Sequence, residues 1–263
     1  MTRTHKRALV TGGAKRLGHA MALYLADRGF DVAVHYGGSE EAAKETAAEI
    51  EAKGWKAVPL QADLLDEAAV QTLLPRAADA LGGPLTVLVN NASIFEHDDI
   101  TSATRESWDR HMESNLRAPF VLTQALAAQI PDPLTDDMGE PLPQGLVVNM
   151  IDQRVRKLTP EFMTYTLAKM GLWAFTRTAA QALAPRVRVN GIGPGPTLQG
   201  ARQSDDHFSR QRQATLMHRG SNPADITGAL GYFLDSPAVT GQLLCVDGGQ
   251  HLNWQTPDVQ GVE

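Results

Sequence analysis

The feature that most limits this 263-residue chain is a regular alternation of short apolar, β-branched runs with longer helical patterns. The apolar runs fall at 8–11, 32–36, 57–61, 87–90, 146–150, 187–192 and 243–246. Strands that read apolar at nearly every position are buried on both faces. Parallel strands need a long crossover between them, usually a helix. The intervening stretches supply those crossovers. Residues 16–28 carry Leu17, Ala20, Met21 and Tyr24 on one stripe and stop at Gly29, while 40–53 end at Gly54 with charges on the outer face. Asp66 stands where a cap would start a helix running to Leu81, closed by Gly82-Gly83-Pro84. Residues 108–130 predict a long helix that Pro119 kinks or breaks. Another helix is predicted over 164–183, ending near Pro185, and a last one over 224–234 after Asn222-Pro223. The expected class is α/β: a doubly wound parallel sheet of seven strands with helices on both faces. It forms a single domain over 1–263 with its core at 7–251.

No internal repeat or linker divides the chain. The Pro- and Asp-rich stretch 131–145 reads as a surface loop, 193–206 as a second long loop, and the tail after His251 as loosely ordered. With 43% hydrophobic residues the chain can bury a core without cross-links. Its lone cysteine, Cys245, rules out an intramolecular disulfide and a thiolate-rich zinc site. Lysine and arginine number 24 against 30 aspartates and glutamates, and a net charge of −6 argues against nucleic acid as a partner. No stretch approaches the roughly 18 apolar residues of a membrane helix. The apolar run after the basic N-terminus stops at Thr11-Gly12-Gly13, too short for a signal-peptide core. The expectation is a soluble cytoplasmic protein with a small-molecule substrate and no membrane partner.

The segment Thr11-Gly12-Gly13-Ala14-Lys15-Arg16-Leu17-Gly18 joins the first strand to the first helix. Glycines let the backbone approach a pyrophosphate, and the helix N-terminus offers N–H groups and a positive dipole end. A tight strand-to-helix connection is the plainer alternative, but the position after the first strand of an alternating α/β chain favours a nucleotide. The second strand ends His35-Tyr36-Gly37-Gly38-Ser39 with no carboxylate to repel a 2′-phosphate, and Arg16 is near enough in the loop to pair with one. NADP(H) is therefore favoured over NAD.

Further motifs follow in a fixed order: Asp63 after the third strand, Asn90-Asn91-Ala92 after the fourth, Asn115, Tyr165-x-x-x-Lys169, Pro194-Gly195 and Val246-Asp247-Gly248-Gly249. Together with Thr11-Gly12 and Gly18 this series resembles the short-chain dehydrogenases/reductases over about residues 7–251, which implies a Rossmann-type fold. Two departures narrow the resemblance. Arg16 replaces the middle glycine of the phosphate loop, and Asp152 stands thirteen residues before the tyrosine, where a serine is usual. Both are shared with the pteridine reductases, as are Ser93 and Phe95 after Asn90-Asn91-Ala92. A second basic residue expected at Gly38 is missing, so 2′-phosphate binding is left to Arg16, His35 and Ser39.

The resemblance implies cofactor contacts from Thr11, Gly12, Arg16, Leu17, Tyr36, Asn91, Ala92, Pro194 and Gly195. It implies that Asp63 accepts from the adenine amino group, that Leu64 closes over the ring, and that Thr197 contacts the nicotinamide amide or the pyrophosphate. Lys169 would bind the nicotinamide ribose, Asn115 would hold a water behind it, and Ser93 and Arg16 would meet the substrate edge. A homotetramer built on the helices around 108–129 and 164–183 is implied as well. The chemistry of the residues adds to this. Tyr165 is the natural proton donor, and Lys169, one helical turn on, would lower its pKa from about 10. An ionised Asp152 can only accept hydrogen bonds and would repel a developing alkoxide, so it suits reduction of a C=N bond better than of a ketone. A loop aspartate turned to solvent is the plain alternative. Phe95 could sandwich a flat heterocycle. His97 and His111 are expected to be exposed, and no metal is expected.

Three readings are weighed: an NADPH-dependent reductase of a pterin or dihydrofolate, a carbonyl reductase acting for instance on 3-oxoacyl thioesters, and a non-enzymatic NADP sensor. Arg16 and Asp152 disfavour the second, and the intact Tyr165/Lys169 pair disfavours the third.

Overall fold

The computed structural model describes residues 6–200 and 203–256. Four strands lead the chain: β1 (Lys6–Val10), β2 (Phe30–Tyr36), β3 (Ala57–Gln61) and β4 (Val87–Asn90). A two-residue antiparallel pair, β5 (Leu134–Thr135) and β6 (Pro141–Leu142), stands apart, and β7 (Gly145–Met150), β8 (Val187–Pro194) and β9 (Leu243–Val246) follow. The main sheet is parallel throughout, in the order β3-β2-β1-β4-β7-β8-β9. Successive side chains point to opposite faces and divide the core in two. Ala8 and Val10 of β1 pack with Met21, Leu25 and Phe233 on one face; Leu9 packs with Leu73, Leu74, Leu122 and Leu126 on the other.

The helices are α1 (Arg16–Asp27), α2 (Glu40–Ala52), α3 (Glu67–Leu81), α4 (Arg105–Met112), α5 (Ala118–Gln129), α6 (Met163–Leu183), α7 (Asp205–Gln213) and α8 (Pro223–Asp235). Asp66 caps α3 by accepting from the Ala68 N–H at 2.9 Å, and Gly82 closes it in the left-handed region. The long helix expected over 108–130 is differently made. A π turn over Glu113–Arg117 joins α4 to α5, and Pro119 lies in the first turn of α5, where a missing N–H is tolerated. The loops also hold more structure than their composition suggests. β5 and β6 lie in the stretch read as bare loop, and α7 follows the loop after β8. None of the side chains of α7 is buried, so it carries no apolar period. Of the tail, Gln250–Leu252 forms a 3-10 turn and residues 257–263 lie outside those described.

The strand order diverges between β1 and β4, and a cleft opens beyond their C-terminal ends. Among the described residues no helix is long and apolar enough to cross a membrane, and no three metal-ligating side chains cluster.

Candidate active site

The rim of the cleft is stitched together by Thr11 and Asn91. The Thr11 hydroxyl oxygen accepts from the N–H groups of Asn91 (2.9 Å) and Ala92 (3.0 Å), while Asn91 Nδ2 donates to the carbonyls of Thr11 (2.9 Å) and Gly12 (3.1 Å). Gly12 has φ +60, and a Cβ on Gly18 would lie 2.0 Å from the Gly12 carbonyl oxygen, so the turn closes only around glycine. α1 then starts with no side-chain cap and no acid in its first turn, which leaves its leading N–H groups and its positive dipole end for an anion.

Of the residues expected on the cofactor phosphate, His35 is otherwise engaged and Arg16 is engaged in part. The Gly12 N–H donates to His35 Nδ1 at 3.0 Å, so Nε2 carries the ring proton and donates to the Ala62 carbonyl at 3.1 Å. Burial holds the pKa of this histidine down to about 4. A neutral ring with both nitrogens committed has nothing to offer a phosphate, and His35 is a strut beneath the loop. Arg16 sits at φ +56, a left-handed position that costs a side-chain-bearing residue about 1–2 kcal/mol. Its guanidinium spans to the loop after β8, where Nη1 donates to the Gln199 carbonyl (2.8 Å) and Nη2 to that of Leu198 (3.1 Å). Leu17, Tyr36 and Ser39 are half-buried, Gly37 and Gly38 border open space, and Asp63 is exposed with Leu64 beside it.

Beyond β7 the chain places Asp152 against α6, which carries Tyr165 and Lys169 one turn apart. The Tyr165 hydroxyl donates to Asp152 Oδ2 at 2.9 Å, and the Arg154 N–H donates to Oδ1 at 2.8 Å. Lys169 Nζ donates to the Met150 carbonyl at 2.7 Å and lies 5.7 Å from the Tyr165 ring centre. Asp152 therefore does not turn away to solvent. Burial raises its carboxyl pKa against the pull of the Arg154 N–H and the tyrosine hydroxyl. Burial and the neighbouring carboxylate push Tyr165 well above the usual phenol value, while burial draws Lys169 down to about 8. The net shift of Tyr165 is thus upward, opposite to the lowering expected from Lys169. The side chain of Asn115, buried in the π turn, accepts from the Ile94 N–H and donates to the Ile94 carbonyl, both at 2.8 Å.

Phe95, 49% exposed, stacks on Phe162 with centroids 4.3 Å apart and planes 6° from parallel, and meets Tyr165 edge-on at 4.7 Å. Phe162 was not foreseen. It stands at φ +56 just before α6, and nothing in the local pattern marks it. Exposed Ser93 lies beside this pair, its hydroxyl donating to the Ile94 carbonyl at 3.3 Å. His111, expected at the surface, is fully buried. Its Nε2 accepts from the Glu96 N–H (3.2 Å), so Nδ1 carries the ring proton and donates to the Thr164 hydroxyl oxygen (2.7 Å), which in turn donates to Asp98. Asp98 also accepts from the Thr164 N–H at 3.1 Å, and so caps α6 from 66 residues away. His97 does lie exposed, edge-on to Phe162.

At the other wall, Pro194 ends β8, Gly195 follows it, and buried Thr197 donates to the Gly195 carbonyl at 3.1 Å. Arg212 of α7 ties this wall together through the carbonyls of Pro196 (2.9 Å) and Ser221 (2.6 Å).

Residues 6–209 match the family model described as short chain dehydrogenase. Among curated proteins, the 3-oxoacyl-[acyl-carrier-protein] reductase FabG of Staphylococcus epidermidis is 28% identical over 94% of this chain and all of its own. The L-2,3-butanediol dehydrogenase of Corynebacterium glutamicum is 31% identical over 94% of this chain and 99% of its own. Among solved structures, FolM Alternative dihydrofolate reductase 1 from Brucella suis, in complex with NADP, is 42% identical with a TM-score of 0.90, over 98% of this chain and all of that one. Its counterpart from Brucella canis, also with NADP, is 41% identical with a TM-score of 0.88, over 97% and 98%.

Proposed function

Because the chain belongs to the short-chain dehydrogenase family, and is an oxidoreductase by that membership, we propose that it reduces a C=N bond of a pterin or dihydrofolate with NADPH. The observation that carries this reading is the 2.9 Å hydrogen bond from Tyr165 to Asp152, which sets a carboxylate where ketone reducers of the family have a serine. Similarity to NADP complexes named as alternative dihydrofolate reductases supports it.

The rim fits a nicotinamide dinucleotide phosphate. The uncapped first turn of α1 suits a pyrophosphate, and the open ground at Gly37 and Gly38, without a carboxylate, suits a 2′-phosphate beside Ser39 and Arg16. Asp63 and Leu64 would meet the adenine. Thr11, Gly12, Leu17, Tyr36, Asn91 and Ala92 would line the path, and Lys169, Pro194, Gly195 and Thr197 the nicotinamide end. When bound, this cofactor supplies a hydride to the substrate carbon.

The rest is the work of side chains. Tyr165 gives its proton to the adjacent nitrogen, so that C=N becomes CH–NH. To do so the hydroxyl turns from Asp152 to the substrate nitrogen. Lys169, held by the Met150 carbonyl, keeps a positive charge near the developing phenolate. A flat heterocycle would lie along Phe95 with Ser93 and Arg16 at its edge. A 3-oxoacyl thioester reductase, the activity named for the FabG relative, is the second reading. An ionised Asp152 opposes it, because a carboxylate accepts hydrogen bonds and repels an alkoxide.

Replacing Asp152 with Ser tests the assignment. Turnover of a dihydropterin falls by ~10²–10⁴-fold, the range of a general acid–base group, while NADPH affinity measured by fluorescence titration holds. Tyr165→Phe removes turnover altogether. Undiminished pterin reduction by Asp152→Ser would make the carboxylate a bystander.

A further inference from the structure

A second polar hollow, of about 210 Å³, lies directly beyond Asp152. The 3-10 turn Gln153–Arg156 that starts at this aspartate forms one wall, continued by Lys157 and Thr159. Gln211 of α7 and Asn253, past the last strand, form the other. Two cations line it and no carboxylate does.

Two polar atoms of its wall are buried and have no hydrogen-bond partner: Gln153 Oε1, on a side chain only 9% exposed, and Arg154 Nε. Buried polar groups are rarely left so, because each forfeits its bonds to water. The remainder of the Arg154 guanidinium is held firmly. Nη1 donates to the Thr159 hydroxyl at 2.5 Å, and the group lies 5.1 Å over the Phe162 ring. An unsatisfied donor and an unsatisfied acceptor on consecutive residues of one wall suit a ligand that offers both, such as an acid joined through an amide.

The route from the reacting centre is short. Tyr165 touches Phe95, Phe95 stacks on Phe162, and Phe162 lies under Arg154. A flat ring placed along Phe95 would carry its side chain past Phe162 to the hollow.

We propose that this hollow is an anion subsite, in which Arg154 and Lys157 bind the carboxylate of an amide-linked substrate side chain while Gln153 accepts from its N–H. The proposal rests on the pterin reading and deepens it. The enzyme distinguishes glutamate-bearing dihydrofolates from pterins with short neutral side chains, and Arg154 and Lys157 set that preference. The carboxylate displaces water from two cations and receives charge-assisted hydrogen bonds in a site that Gln211 and Asn253 partly screen.

Two measurements test it. In steady-state assays of the NADPH-saturated enzyme, Lys157→Ala should raise the KM ratio of dihydrofolate to dihydrobiopterin about tenfold, equal to roughly 1.4 kcal/mol. An unchanged ratio overturns the subsite. Calorimetric titration with N-(4-aminobenzoyl)-L-glutamate needs no turnover. It should show binding to the parent enzyme that Lys157→Ala weakens and Arg154→Met abolishes. Absent binding, or binding indifferent to both substitutions, overturns the proposal. If inorganic phosphate displaces this probe as readily as glutarate does, the hollow is a general anion site and the carboxylate assignment fails. Should neither pterin turn over, the proposed reaction falls, while the titration still decides the subsite.

Discussion

A neutral histidine ties the phosphate loop to the end of β3, one ring nitrogen on Gly12 and the other on Ala62. His35 has a pKa near 4 in the folded chain because burial penalises its charged form, against 6.5 for an exposed imidazole. The folded state therefore binds fewer protons than the unfolded one between these values, and stability must fall as pH drops through that window. The contribution is complete above pH 6.5, and about 2–3 kcal/mol of it is lost by pH 4.5. In urea unfolding at pH 7 and pH 4.5, the parent protein loses that much more stability than His35→Gln, which lacks the titrating ring. Identical losses would contradict the strut. A sequence shows a histidine at a strand end but not which side of the loop it faces, and that is why His35 reads as a phosphate ligand. Asp152 was open to inference for a different reason. The resemblance to the family marks the position thirteen residues before Tyr165 as part of the site, although the sequence leaves open a turn to solvent.

Among the elements, α6 is the one on which the chemistry depends, and its start is built from a distance. Phe162 offers no side-chain cap, and Asp98 supplies one through the N–H and hydroxyl of Thr164, the residue before Tyr165. Asp98→Ala leaves those donors buried without a partner and should cost about 1–3 kcal/mol. Turnover should fall in step, since Tyr165 occupies the loosened first turn. Chemical denaturation and kcat measured together check this, and unchanged stability would contradict the capping role. Such a cap joins residues far apart in sequence, so local pattern does not reveal it. The strands and the other long helices were readable because burial on one or both faces imprints a period. α7 lacks a buried face, and only Ser204 at its start, Asp205 and Asp206 in its first turn and Arg210 and Arg212 in its last mark it. The π turn shifts the register between α4 and α5 without any proline at the step.

At the scale of the molecule, one sheet brings the phosphate loop, the Asp152–Tyr165 pair and the Phe95–Phe162 stack to the same edge. Leu172 and Thr176 of α6 are buried within the subunit, which leaves Leu167, at 44% exposed, with half-buried Trp173 and Phe175. Trp108 on α4, 42% exposed, adds to the apolar surface. We propose that these helices pair between copies in a homotetramer, and sedimentation at micromolar concentration checks it; a monomer would contradict it. The central claim concerns the reaction itself, and NADPH oxidation followed at 340 nm tests it most directly. The substrates are dihydrofolate, dihydrobiopterin, dihydromonapterin, folate and a 3-oxoacyl thioester, offered separately to the same preparation. The account predicts turnover of at least one reduced pterin or folate and little or none of the thioester. Turnover of the thioester alone would contradict it.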